Sequence, residues 1–129
     1  MKPARILLVE DNAMNRQLAR DLLQYHGHEV VEARSVEEGW TALETNASFD
    51  IVLLDIQMPG GGGPELLRRI RTASALSSLP VIAVTAFAMD GDRERFLRDG
   101  FDGYLSKPID TRSFVATVES FVRKREAEK

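Results

Sequence analysis

The sequence predicts an α/β fold, a doubly wound five-stranded parallel sheet with strand order 2-1-3-4-5. Five short strand-like runs alternate with five helical stretches along 129 residues, and such alternation builds parallel sheets with right-handed crossovers. The runs at 6–9, 51–54 and 81–84 are apolar throughout, which suits strands covered on both faces. Five units are too few for a barrel, which needs about eight. With no linker, repeat or low-complexity stretch, the whole chain 1–129 reads as a single domain.

Arg5-Ile6-Leu7-Leu8-Val9 is the first strand, and it ends in the acids Glu10 and Asp11. Asn12 can cap the helix that follows, where Met14, Leu18 and Leu22 recur every four residues beside Ala19 and Leu23, until Gly27 stops it. Met14 and, in the next helix, Trp40 read as members of core stripes. His26 and His28 bracket Gly27 and read as solvated or dipole-placed histidines. Glu29 to Ala33 is a brief strand with polar flanks, which places it near a sheet edge. Ser35 and Glu38 have the spacing of a capping box, and Val36, Trp40 and Leu43 mark that helix's buried stripe.

Ile51-Val52-Leu53-Leu54-Asp55 is the central strand. A carboxylate at its end is unusual, because Asp is depleted in strands and costly to bury alone. Pro59 and Gly60 to Gly63 stop the strand, and Pro64 suits the first turn of a helix carrying Leu66, Leu67 and Ile70. Arg68, Arg69 and Arg71 read as a solvated helix face. Pro80 to Thr85 is an apolar strand ending in a hydroxyl. The charged segment 90–99, with Phe96 and Leu97 as its main apolar pair, predicts a weakly anchored helix. A short strand, 102–106, leads to Lys107-Pro108, and Phe114, Val115, Val118, Phe121 and Val122 form the stripe of the last helix.

Composition bounds the function. Hydrophobic content of 43% and charged content of 29% are ordinary for a soluble globular protein. A net charge of −3 offers no basic face for nucleic acid. The absence of cysteine excludes disulfides, thiol catalysis and cysteine-ligated metals. No apolar run is long enough to span a membrane or serve as a signal peptide, so a cytoplasmic location is expected.

In such a fold ligands bind beyond the carboxyl ends of the strands, at the switch point between strands 1 and 3. Glu10, Asp11, Asp55, Thr85 and Lys107 stand at those ends. Three crowded carboxylates repel one another unless a cation joins them. A hard divalent ion with oxygen ligands, Mg²⁺ first among them, meets that need. A lysine and a hydroxyl opposite a metal are what a phosphoryl group requires around its oxygens.

Val9-Glu10-Asp11-Asn12, Leu54-Asp55-Ile56-Gln57-Met58-Pro59, Thr85-Ala86 and Lys107-Pro108, in that order, resemble the receiver domain of two-component response regulators. The resemblance covers essentially the whole chain. It is closest to stand-alone cell-cycle regulators of the division-control type and to receivers of hybrid histidine kinases. It implies that Asp55 accepts a phosphoryl group from the phosphohistidine of a histidine kinase or histidine phosphotransferase. Glu10, Asp11 and Asp55 would hold Mg²⁺ together with the backbone carbonyl of Gln57, Glu10 mainly through water. Lys107, aimed by a cis Lys107–Pro108 peptide, would pair with the phosphoryl group, and Thr85 would donate its hydroxyl to it. Tyr104 would change rotamer with Thr85. Phosphorylation would then switch a protein-binding face formed by the fourth helix, fifth strand and fifth helix.

The resemblance implies a signalling switch rather than a turnover enzyme, and no direct nucleic-acid or membrane partner is expected. One departure from the family pattern is the run Gly60-Gly61-Gly62, which predicts a loose loop beside Asp55. A dehalogenase-type phosphatase would want a second acid where Gln57 stands. A flavodoxin would need a phosphate cradle where Glu10 and Asp11 repel phosphate. The remaining alternative is a pseudo-receiver, a phosphorylation-independent binding module, which usually lacks one of the acids or the lysine; none is missing here.

Overall fold

The computed structural model describes residues 2–45, 48–58, 62–86 and 91–127. Its elements follow the expected alternation: β1 (Arg5–Val9), α1 (Ala13–Tyr25), β2 (Glu29–Ala33), α2 (Val36–Thr45), β3 (Ile51–Asp55), α3 (Gly62–Thr72), β4 (Val81–Thr85), α4 (Asp92–Asp99), β5 (Gly103–Ser106) and α5 (Phe114–Ala127). The strands form one parallel sheet in the order β2-β1-β3-β4-β5. The more polar β2 lies at one edge, as its flanks predict.

Alternate strand residues point to opposite faces, and two cores result. Leu7, Val9, Val52, Leu54, Val81 and Ala83 pack with residues of α2, α3 and α4. Ile6, Leu8, Ile51, Leu53, Ile82 and Val84 pack with residues of α1 and α5. β3 and β4 are buried along their whole length, because helices cover both of their faces. The pairing register matters for chemistry. Val9 lies opposite Leu54 and Asp55 opposite Val84, so the residues just beyond β1 and at the ends of β3 and β4 come level at one edge.

Four sequence expectations change. Met14 is 81% exposed and Leu18 39%, whereas Ala19 and Leu23 are the buried residues of α1. Each i to i+4 step overshoots one turn by about 40°, so the series 14, 18, 22 drifts round the helix and only Leu22 reaches the core. On α4, Phe96 is buried but Leu97 is 42% exposed, which leaves one aromatic anchor instead of a pair. His28 is buried rather than solvated. Its Nδ1 accepts the Ala4 N–H at 2.9 Å, so its proton sits on Nε2 and is donated to Glu119 at 2.7 Å, tying α5 to the sheet. Arg71 also leaves the solvated face: it donates to the carbonyls of Ser77, Leu79 and Gly100 and bridges Asp102 at 2.9 Å.

The predicted helix caps form with one adjustment. Asn12 accepts the Asn15 N–H at 2.9 Å, and Ser35 Oγ accepts the Glu38 N–H at 3.1 Å. Glu38 reaches back to the Arg34 N–H, one residue beyond a standard capping box. Pro64 stands in the first turn of α3. The expected looseness of Gly60 and Gly61 falls outside the described residues. Gly62 and Gly63 are buried at the start of α3. A Cβ on Gly62, whose φ is +63°, would lie 2.8 Å from the Ile56 carbonyl oxygen, and one on Gly63 would lie 3.0 Å from that of Asp55. Side chains are excluded here by the backbone that carries Asp55.

Gly62→Ala should therefore cost both left-handed strain and a backbone shift, about 2–4 kcal/mol together. Gly27→Ala, at φ +89° with open space around it, should show the strain alone, about 1–2 kcal/mol. Urea unfolding of the two variants beside the native chain measures the difference. Equal losses would remove the argument for close approach.

Candidate functional site

The site forms where β1, β3, β4 and β5 end. Glu10 follows β1 directly and is 4% exposed, its N–H held by the Ala33 carbonyl of β2. Asp11, one residue further, is exposed. Asp55 closes β3 at 2% exposure. Glu10, Asp11 and Asp55 each offer a carboxylate oxygen within 4.8 Å of the others. Lys107 enters from beyond β5, where its N–H donates to the Thr85 carbonyl at 2.8 Å and its peptide bond to Pro108 is cis. Its ammonium lies 2.8 Å from Glu10 Oε1 and 3.2 Å from Asp55 Oδ1.

The electrostatics follow from burial and crowding. Burial first, and the neighbouring Asp55 second, raise the Glu10 carboxyl pKa to about 7, against the opposing pull of Lys107 and the Asn12 N–H. Burial works against the charge on Lys107, but the carboxylates of Glu10 and Asp55 outweigh it and hold its pKa above the ordinary lysine value. Three carboxylates against one ammonium leave an excess of negative charge. Oxygen-only donors with that charge fit a hard divalent cation.

Thr85, at the end of β4, is 1% exposed. Its hydroxyl accepts a hydrogen bond from Gln57 Nε2 at 3.0 Å, and Gln57 Oε1 accepts from the Ala86 N–H at 3.4 Å. Gln57 also donates its backbone N–H to Asp55 Oδ1 at 3.1 Å. Tyr104 stands apart from the carboxylates, half-buried on β5, with its ring 5.8 Å from that of Phe96 on α4. The structure thus gathers Glu10, Asp11, Asp55 and Lys107, joins Thr85 to them through Gln57, and sets Tyr104 against α4.

Two contributors were not singled out from sequence. The Gln57 side chain spans from the residue after Ile56 to Thr85, a contact between strand ends that local spacing does not announce. Arg16 donates to the carbonyls of Glu10 and Asp11 at 3.0 and 3.4 Å and pairs with Glu32 at 3.3 Å, so it braces the acidic loop from the first turn of α1. A cation four residues after Asn12 at a helix N-terminus, where cations are disfavoured, was the available signal.

Removing the ammonium should leave two buried carboxylates uncompensated. Lys107→Met is expected to lower the unfolding free energy by about 2–4 kcal/mol in metal-free buffer at pH 8, read from urea unfolding. An unchanged midpoint would mean that the carboxylates do not depend on Lys107.

Known proteins resemble the chain along most of its length. A family model for the response regulator receiver domain matches residues 6–119. The polar-differentiation response regulator DivK of Brucella anthropi is 39% identical over 122 residues, 93% of this chain and 97% of that one. DivK of Brucella ovis is 40% identical over 119 residues, 91% and 94% of the two chains. Among solved structures, a CheY-like receiver domain protein from Methanospirillum hungatei superposes with a TM-score of 0.87 at 27% identity, covering 99% of this chain and 100% of that one. The chemotaxis response regulator CheY4 of Vibrio cholerae gives 0.85 at 25% identity, covering 93% and 99%. Sheet order, strand-end chemistry and similarity across nearly the full length converge on one assignment: the chain belongs to the response regulator receiver family of two-component signalling.

Proposed function

We propose that this chain is a single receiver domain that takes a phosphoryl group onto Asp55 from the phosphohistidine of a histidine kinase or histidine phosphotransferase. The observation that carries the reading is the Lys107 ammonium held between Glu10 and Asp55, with Thr85 linked to the same cluster by Gln57. An Asp55 oxygen attacks phosphorus, the P–N bond to the donor histidine breaks, and the electron pair leaves with the imidazole, giving an acyl phosphate. In-line transfer through a loose transition state depends on positioning and on charge neutralisation. Lys107 would move its ammonium from the carboxylates to the phosphoryl oxygens. Thr85 would donate its hydroxyl proton to the phosphoryl group. Asp11 and Asp55, with Glu10 behind them and the carbonyl of Gln57, would hold Mg²⁺. When bound, that ion neutralises charge on the transferred group.

The exposed side of α1 suits the donor. Met14 and Leu18 form an apolar stripe that begins just after the acidic loop, and a donor whose histidine reaches Asp55 must cover that ground. The output face would comprise α4, β5 and α5, in keeping with the contact between Tyr104 and Phe96. A cytoplasmic location fits this role, and no described helix is long and apolar enough to cross a membrane.

The primary test is intact mass after incubation with a small phosphodonor and Mg²⁺. One phosphoryl group should be gained by the native chain, and none by Asp55→Asn or by the native chain with chelator. No gain in the native chain would favour the pseudo-receiver. Docking is tested separately with a phosphorylated histidine-containing domain as donor. Met14→Glu/Leu18→Glu should slow that transfer by about tenfold or more, since apolar contacts at interface centres carry much of the affinity. Equal rates would move the donor surface elsewhere.

A further inference from the structure

Between α3 and α4 lies an open groove of about 490 Å³. Its floor is apolar, with Leu67, Phe96 and Phe101 each 4% exposed. Arg68 and Arg95 stand on its rim, and Asp99 is the acid among the described lining residues. On α3 the lining positions 64, 67, 68, 71 and 72 follow the spacing of one helix face, so the groove runs about 12 Å along that helix.

The two rim arginines keep donors beyond those their acids use. Arg68, 63% exposed, holds Glu65 through Nε and Nη2 at 3.1 and 2.7 Å, and Arg95, 54% exposed, pairs through Nη2 with the buried Asp92 at 3.1 Å. Each guanidinium carries five N–H groups, so an incoming carboxylate can bind beside either acid. Arg71 differs: its guanidinium is used on the carbonyls of Ser77, Leu79 and Gly100 and on Asp102. A small-molecule pocket depends on a few placed polar groups inside it. Here an apolar trough between two helices carries an arginine rim, which is the chemistry of a groove for an amphipathic helix.

We propose that this groove docks an acidic amphipathic segment of a partner protein, with apolar anchors on Leu67, Phe96 and Phe101 and carboxylates on Arg68 and Arg95. Its occupancy is linked to the state of Asp55, and this second part rests on the phospho-acceptor reading. Ile56, directly after Asp55, lines the groove. Phe96 lies in its floor and packs on both Phe101, at 5.7 Å between ring centroids, and Tyr104, at 5.8 Å. A shift of Tyr104 therefore reshapes the groove floor, and linkage makes the effect reciprocal.

The test titrates ¹⁵N-labelled protein with a short helical peptide bearing leucines on one face and glutamates beside them. A second peptide carries lysines in place of the glutamates. Shifts confined to 64–72 and 95–101 are expected, with affinity about tenfold weaker for the lysine peptide and for the Arg68→Glu/Arg95→Glu protein. Thr72→Arg, which crowds the groove from an exposed position, should weaken binding similarly without touching the floor. No binding, shifts centred on α1 or α5, indifference to charge reversal, or occupation by an aromatic carboxylate but not by the peptide would each overturn the docking site. A second arm repeats the titration with beryllofluoride as the phosphoryl mimic. Peptide affinity should change by at least about fivefold in the native chain and stay constant in Asp55→Asn. An unchanged affinity with the mimic bound would overturn the linkage. Failure of the mimic to bind would instead count against the phospho-acceptor reading, because the first arm uses no phosphoryl chemistry.

Discussion

The ammonium of Lys107 between two buried carboxylates is the contact on which the carboxyl edge of the sheet depends. Glu10 and Asp55 are each less than 5% exposed, and burying two such groups side by side is unfavourable without a cation. The cation comes from beyond a third strand, fixed there by the Lys107 N–H on the Thr85 carbonyl. Strand order and register exist partly to make that meeting possible, since a one-residue slip of β3 would turn Asp55 into the other core. The edge is therefore held by charge balance, while the two faces of the sheet are held by apolar packing.

The same balance makes the edge responsive. A protein interior built only of Leu, Ile and Val has one packed arrangement, and its free energy changes little with solutes. The carboxylate cluster keeps an excess of negative charge that Lys107 offsets only in part. A cation or phosphoryl group bound there would change the distribution of charge at the ends of β1, β3, β4 and β5, where Thr85 and Gln57 share a hydrogen bond. Glu10 stands out there, its carboxyl pKa raised to about 7 by burial first and by the neighbouring Asp55 second.

Much of this was legible in the sequence, for identifiable reasons. The apolar runs at 51–54 and 81–84 specify strands buried on both faces, and the acids after 9 and at 55 stand out because such strands rarely end in carboxylates. The polar flanks of 29–33 announced an edge strand. What local pattern did not reveal was contact at long range. The Gln57 side chain meets Thr85 across 28 positions, and His28 meets Glu119 across 91. Arg71 reads as one of several surface arginines, yet it closes carbonyls from two separate loops. Met14 fits a stripe by spacing, but the drift of an i+4 series carries it away from the sheet. Periodicity identifies elements; it does not specify which polar tips meet once the elements are assembled.

The bonds of Arg71 have a mechanical consequence for α4. Gly100 caps the C-terminal end of that helix, with φ +111°, and its carbonyl receives two bonds from the Arg71 guanidinium at 3.0 and 2.8 Å. Asp102, bonded both to Arg71 and to the Val81 N–H, fastens the next residues to the start of β4. At the other end Gly91 supplies no side-chain cap, and Phe96 is the sole apolar anchor on the described helix. The helix is thus fixed at its C-terminal end to α3 and β4, held in the middle by one aromatic ring, and entered through the buried Asp92. Its attachment is uneven along its length: backbone bonds fasten the Gly100 end, whereas the rest depends on two side chains.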